Sequence, residues 1–303
     1  MTAGPLFVIG VPRSGTTIVF DAVSSHPQLG WLSNYSAMYP GVPWLNGLRR
    51  LLDNRWVKLR GRKKQYASVR PGNRYYPQPD EAYEFWDRYS CSDFSRDYLL
   101  GCSASRETAQ RVRTAVDAVL GWQGRPVFST KLTGPGRIHY LNSIFPGSRY
   151  VNVIRDARDV VASLMRVNFW KRNGGLERPY WRNGLDSDAV AEWHGRGSDP
   201  VVLAAMQWKF IIESTREEAG GLPVERYMEL RYEDFVADPG TMAARIFDFA
   251  GLENAAGIAA SAAAAFRLTD MNAMRHKGLG ADAVRSIETV VADLMTDLGY
   301  LVP

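Results

Sequence analysis

One short stretch near the amino terminus constrains this chain more than any other. Leu6-Phe7-Val8-Ile9 is an apolar run without alternation, the pattern of a strand buried on both faces. It runs straight into Gly10-Val11-Pro12-Arg13-Ser14-Gly15-Thr16-Thr17. A helical pattern begins at Thr16, with Ile18, Val19, Ala22 and Val23 on one face. Strand, glycine turn and helix in that order make a cradle for an anion. Successive backbone N–H groups point at it, and the helix adds the positive end of its dipole. Thr16 and Thr17 add hydroxyl donors, and Arg13 adds a fixed cation. A loop that cradles a nucleoside triphosphate carries Lys directly after its second glycine, where it reaches the β- and γ-phosphates. Here that position is Thr16. The missing Lys is a physical objection to a P-loop nucleotide kinase, which stays as the alternative enzyme.

The same rhythm returns further along. Strands are expected over 126–130, 149–154 and 226–230, with helices over 156–165, 241–250 and 281–298. Short apolar strands alternating with helices predict an α/β fold: a parallel β-sheet flanked by helices. We expect one domain over 1–303. Between about 31 and 124 the rhythm breaks into a stretch rich in Trp, Tyr, Arg and Pro with no clear strand, read as a mostly helical insertion. A second irregular stretch, 168–200, has the length of a lid or binding loop.

Charge is concentrated in one place. The 303 residues carry a net +5, yet 49–74 alone holds ten Lys or Arg against Asp53, leaving the rest of the chain acidic. That argues against a general nucleic-acid-binding surface and for a local anionic contact. Within it, Trp44, Leu45, Leu48, Leu51, Leu52, Trp56 and Leu59 recur at helical spacing between basic residues. The pattern predicts a cationic amphipathic helix, with residues 44–64 available to an anionic membrane surface. It equally fits a scaffold helix, or a guide for an anionic or sugar substrate. Two cysteines and four scattered histidines provide no metal-ligand spacing. No basic leader and no apolar run of about 18 residues stand out, so we expect a cytoplasmic protein, peripheral to the membrane at most.

A second anion site is expected at Arg155. It ends the strand 149–154, and Asp156 opens the next helix, with Asp159 three residues on and Ser163 two turns along. A strand-end Arg and a helix Ser can share one phosphate through a charge-assisted fork and a hydroxyl. Taken with the Gly10 loop, this sequence resembles the sulfotransferases that use 3′-phosphoadenosine 5′-phosphosulfate (PAPS), in the style of bacterial members. The resemblance implies that Pro12-Arg13-Ser14-Gly15-Thr16-Thr17 holds the 5′-phosphosulfate, and that Arg155 and Ser163 hold the 3′-phosphate. It implies that Lys131 lies near the transferring sulfonate, that Tyr232 lies near the adenine, and that Lys277 and Gly278 close over the 3′-phosphate. The activity implied is sulfonate transfer from PAPS to a hydroxyl of a small-molecule, sugar or lipid acceptor, releasing PAP. Arg13 and Lys131 would stabilise the developing charge without a metal.

The resemblance leaves the general base open. Many members carry His two residues after the matching lysine; here that residue is Thr133. The acid best placed in the sequence is Glu81, in Asp80-Glu81-Ala82-Tyr83-Glu84, with His139 second. The competing reading makes Asp80 a helix cap and leaves Glu81 and Glu84 to solvent. A non-catalytic membrane or polyanion binder is the remaining alternative. The tryptophans at 170, 181 and 193 suit stacking on a sugar or an apolar acceptor, or plain packing.

Overall fold

The structure, a computed structural model, describes residues 4–54, 56–57, 59–61, 72–253, 257–260 and 279–301. The chain starts with β1 (Leu6–Gly10), α1 (Thr16–Val23) and β2 (Leu29–Trp31). Next come α2 (Asn34–Met38), α3 (Leu48–Leu52), α4 (Tyr83–Tyr89) and α5 (Arg106–Gln123). Then β3 (Val127–Thr133), α6 (Ile138–Ile144), β4 (Arg149–Ile154), α7 (Ala157–Leu164), α8 (Asn168–Arg172), α9 (Ser187–Gly195) and α10 (Pro200–Ala219) follow. The chain continues through β5 (Tyr227–Arg231), α11 (Tyr232–Ala237), α12 (Pro239–Ala250) and α13 (Ala281–Asp297).

All strand pairs are parallel, in the order β2-β3-β1-β4-β5. Alternate residues of β1 feed opposite faces. Leu6 and Val8 pack with α1 and α12, while Phe7 and Ile9 pack with α5 and α6. A third cluster joins α7, α10 and α13 around Trp208 and Ile287. Burial on both faces is why the strands read as continuous apolar runs. The order places β1 in the middle, with β3 on one side and β4 on the other. The residues leaving the carboxyl ends of these three strands therefore converge, where open sheets of this kind bind ligands.

The structure adds one strand and corrects one expectation. Leu29-Gly30-Trp31 is an edge strand paired with Val127–Ser129, so the sheet extends to the point where the helical insertion was expected to begin. Three residues with a central glycine carry too little pattern to show it; pairing with β3 creates it. The cationic helix over 44–59 is also broken. A 3-10 turn (Pro43–Gly47) leads into α3, which stops at Asp53. The Asn54 side-chain oxygen accepts from the backbone N–H groups of Trp56 and Val57, and Leu59 N–H returns to Leu52 O, so the chain folds back. Arg49 turns inward. Its guanidinium lies 4.0 Å over the Trp31 ring and donates to Leu29 O at 3.0 Å and to Gln123 Oε1 at 2.6 Å. Arg49 and Arg60 both pair with Asp53 at 3.4 Å.

Candidate active site

The loop leaving β1 is shaped by two residues with left-handed backbones. Gly15 holds φ +94°, and a Cβ there would collide with the Tyr232 ring. Arg13 holds φ +75°, a conformation that costs a non-glycine residue about 1–2 kcal/mol. Gly15 caps α1 without any side-chain hydrogen bond, so the first N–H groups of the helix face the turn. Ser14 is fully buried, and its hydroxyl has no hydrogen-bond partner.

Arg13 spans the two expected anion sites. Its Nε donates to Ser163 Oγ at 2.8 Å, which ties the loop to α7. Burial pushes its guanidinium down from the ordinary range, and the like charges of Arg155 and Arg166 push the same way. Arg155 lies 4.6 Å over the Tyr232 ring and pairs with Asp159 at 3.3 Å. Its Nε and the Tyr232 hydroxyl are both buried and without a partner. Asp156 caps α7 through Arg158 N–H, so the expected cap holds while Asp159 serves Arg155. Burial also raises the Tyr232 phenol. The sequence placed Ser163 beside Arg155; the structure gives its hydroxyl to Arg13. Lys277 and Gly278 lie outside the described residues.

Lys131 joins this rim to the other half of the cavity. On β3, with its side chain 2% exposed, it reaches Thr17 Oγ1 at 2.9 Å and Glu81 Oε1 at 3.0 Å. Thr133 Oγ1 also donates to Glu81 Oε1, at 3.0 Å. Asp80 caps a turn by accepting from Ala82 N–H. Glu81, two residues before α4, is thereby turned inward. His139 is exposed on α6 against Ser103 and does not line the cavity.

Arg13, Thr17, Arg155, Tyr232, Lys131 and Glu81 line one cavity of about 520 Å³. Its far wall comes from α4, the loop that follows it and the stretch after α7: Glu84, Asp87, Arg96, Phe169 and Tyr180; the binding loop expected over 168–200 supplies two of these, while Asp87 and Arg96 were not expected. Glu84 and Asp87 are one helical turn apart and share a face. Tyr83 closes the floor, its hydroxyl donating to Thr133 O at 2.5 Å. Trp170, Trp181 and Trp193 are buried; Trp170 and Trp193 serve packing, while Trp181 also lines the cavity. Arg96 and Tyr180 left no local signal, because only the fold brings 96 and 180 together. None of the described residues of 44–61 lines the cavity. Arg49 and Arg60 bind Leu29 O and Ser24 O, at the start of β2 and the end of α1, so these two arginines lie at the opposite end of the sheet from the cavity.

Comparison with known proteins places this geometry. Two mycobacterial sulfotransferase structures share the fold, at 17% identity each. STF9 from Mycobacterium avium aligns with a TM-score of 0.59 over 98% of this chain and 77% of its own. STF1 from Mycobacterium tuberculosis aligns at 0.54 over 97% of this chain and 77% of its own. In sequence, the omega-hydroxy-beta-dihydromenaquinone-9 sulfotransferase Stf3 of Mycobacterium bovis is 24% identical over 265 residues, 82% of this chain. The chain spans 63% of that relative's length. The model of the Sulfotransferase family matches residues 5–256, from the first strand to beyond α12. The chain that builds the loop at Gly10 and the rim at Arg155 therefore belongs to the Sulfotransferase family.

Proposed function

We propose that this chain transfers a sulfonate group from PAPS to a hydroxyl acceptor and releases PAP. One observation carries the reading. Ser14 Oγ, Arg155 Nε and Tyr232 OH are buried without partners beside a helix start that has no cap. Buried donors left unmade cost about 1–3 kcal/mol each, and a ligand with two separated anionic groups would satisfy them together. Pro12 to Thr17 would hold the 5′-phosphosulfate. Arg13, Arg155 and Ser163 would hold the 3′-phosphate. Tyr232, wedged against Gly15, would fix the nucleoside.

In the transfer, the acceptor oxygen bonds to sulfur as the bond from sulfur to the bridging phosphate oxygen breaks. Glu81 takes the acceptor proton, and Lys131 meets the charge that develops on the bridging oxygen. Lys131 is suited to this because it already spans Thr17 and Glu81. A sulfonate carries less charge than a phosphoryl group, so fixed cations can neutralise it and no metal is required in this scheme. Calorimetric titration with adenosine 3′,5′-bisphosphate in EDTA, beside ATP with Mg²⁺, tests the reading. Metal-free binding of the bisphosphate at least tenfold tighter than ATP is expected. Preference for ATP with Mg²⁺ would replace it with a kinase.

A separate observation favours contact with a membrane surface. Trp56 is 83% exposed and Leu51 67%, and Trp44, Trp122 and Arg50 are exposed as well. Basic and aromatic residues together suit an anionic bilayer interface through 44–64. Sedimentation with phosphatidylglycerol vesicles is expected to carry the protein down at low salt and release it at high salt. Equal sedimentation with neutral vesicles would remove this reading.

A further inference from the structure

The far wall of the cavity has a chemistry of its own. Glu84 and Asp87 bring two carboxylates to it, and Arg96 brings one guanidinium. Tyr180 cannot serve as a stacking platform. One face of its ring lies parallel to Trp170, with centroids 4.9 Å apart and planes 4° apart. The Arg96 guanidinium lies 4.5 Å over the ring, and Arg96 is held in turn by Asn173 Oδ1 at 2.7 Å. The ring is clamped, so it offers the cavity its edge and its hydroxyl. Glu81 is close enough that its charge adds to burial in raising the Tyr180 phenol. The apolar surface on this wall comes from Phe169, which is 41% exposed and stands edge-on to Tyr180, and from the part of Trp181 that lines the cavity.

Resting on the PAPS reading above, we propose that the acceptor is a hydroxyl-rich ring of the glycoside class, read by Glu84, Asp87, Arg96 and the Tyr180 hydroxyl, with its C–H face against Phe169. A hydrocarbon alcohol seated here would strip water from two carboxylates and a guanidinium and give them nothing in exchange. A ring bearing several hydroxyls supplies donors to the carboxylates and acceptors to Arg96 and Tyr180. One hydroxyl is left for Glu81, which already stands at Lys131. Acceptor hydroxyl and donor loop then meet at the same lysine.

The test is binding, followed by turnover, on the full chain saturated with adenosine 3′,5′-bisphosphate. Methyl α-D-glucopyranoside, methyl α-D-mannopyranoside and methyl β-D-galactopyranoside are compared with 1-decanol and 2-naphthol by saturation-transfer NMR. PAPS then replaces the bisphosphate and sulfated product is measured. At least one glycoside is expected to bind and to be sulfated. Its affinity is expected to fall at least tenfold in the double variant Glu84→Gln/Asp87→Asn, with bisphosphate affinity and melting temperature unchanged. The conservative pair keeps the Asp87 oxygen that accepts from Ser95 N–H, so the local fold is retained. Phe169→Ala is expected to weaken the glycoside as well. Decanol or naphthol as the better ligand, no glycoside binding at all, or a double variant that binds the glycoside as well as the parent would each overturn the proposal. Failure of the bisphosphate itself to bind would strike the donor reading instead.

Discussion

Two arginine clusters sit at opposite ends of the sheet. At the amino ends, Arg49, Arg60 and Arg125 surround Asp53, and their donors go to Leu29 O, Ser24 O, Gln123 Oε1, Pro27 O and Asp53 itself. Trp31 lies under Arg49 and Arg60. At the carboxyl ends, Arg13 and Arg155 meet with Arg166 near. There the buried groups around them, Ser14 Oγ, Arg155 Nε and Tyr232 OH, lack partners. Both clusters are positive and both are largely buried. The first also leaves Arg60 Nε and Arg125 Nε without hydrogen-bond partners, so the clusters differ less in spare donors than in place: Arg13 and Arg155 line the cavity, and Arg49, Arg60 and Arg125 do not. A place on the cavity separates a structural arginine from a binding one; positive charge or a spare donor alone does not.

The sharpest way to test that contrast is at the ion pair between the rim and the far wall. Glu81→Gln removes the proposed base and leaves the donor loop. Turnover, measured as bisphosphate released from PAPS with acceptor present, is expected to fall by about 10²–10⁴-fold. Bisphosphate affinity is expected to stay unchanged. Full turnover in this variant would take Glu81 out of the mechanism.

Next in size is Arg49→Ala. It leaves Asp53 buried with one fewer cation and opens space over Trp31. A loss of about 3–5 kcal/mol in denaturant unfolding is expected, with bisphosphate affinity intact in the folded protein. Arg155→Ala is expected to do the reverse. The melting temperature changes little, while bisphosphate binding weakens about 10–100-fold and discrimination against 5′-AMP is lost. If the two variants exchanged these effects, the distinction between the clusters would fail.

An effect of similar size lies at a partly buried acid outside both clusters. Glu218 Oε2 accepts from Ile138 N–H at 2.8 Å, while burial pushes its carboxyl up to about 7. A folded pKa above the ordinary 4.5 means that the folded state holds this proton longer than the unfolded chain does. Its stabilising contribution is therefore complete below about pH 4.5 and is lost as pH rises through 7. Relative to Glu218→Gln, the parent protein is expected to lose about 2–3 kcal/mol between pH 5 and pH 8. A constant difference across that range would show that Glu218 does not titrate there.

The parts of this protein that were legible in the sequence are those written within about ten residues of chain. Leu6–Ile9 reads as a doubly buried strand because no polar residue interrupts it. Gly10 to Thr17 reads as an anion loop because backbone geometry and helix dipole are local properties. Asp156 reads as a cap for the same reason. The break at Asp53 was hidden because a stripe of apolar residues at helical spacing has the same appearance whether or not a buried Asp and an Asn54 turn interrupt it.

What the sequence determined alone is the set of backbone devices: strand, glycine turn, helix start, and the hydroxyls and cations next to them. What only the tertiary structure decided is which of these groups meet. Arg13 and Ser163 are 150 residues apart, yet their side chains touch. Glu81 and Lys131 approach because β3 lies beside β2 and because Asp80 N–H is bonded to Leu32 O, just past the end of β2. Arg96 finds Tyr180 across a loop that has no period to read. Local conformation follows from a residue and its near neighbours, whereas an unpartnered buried donor depends on everything packed around it. The loop could therefore be read from the chain, and its empty valences could be counted only in the fold.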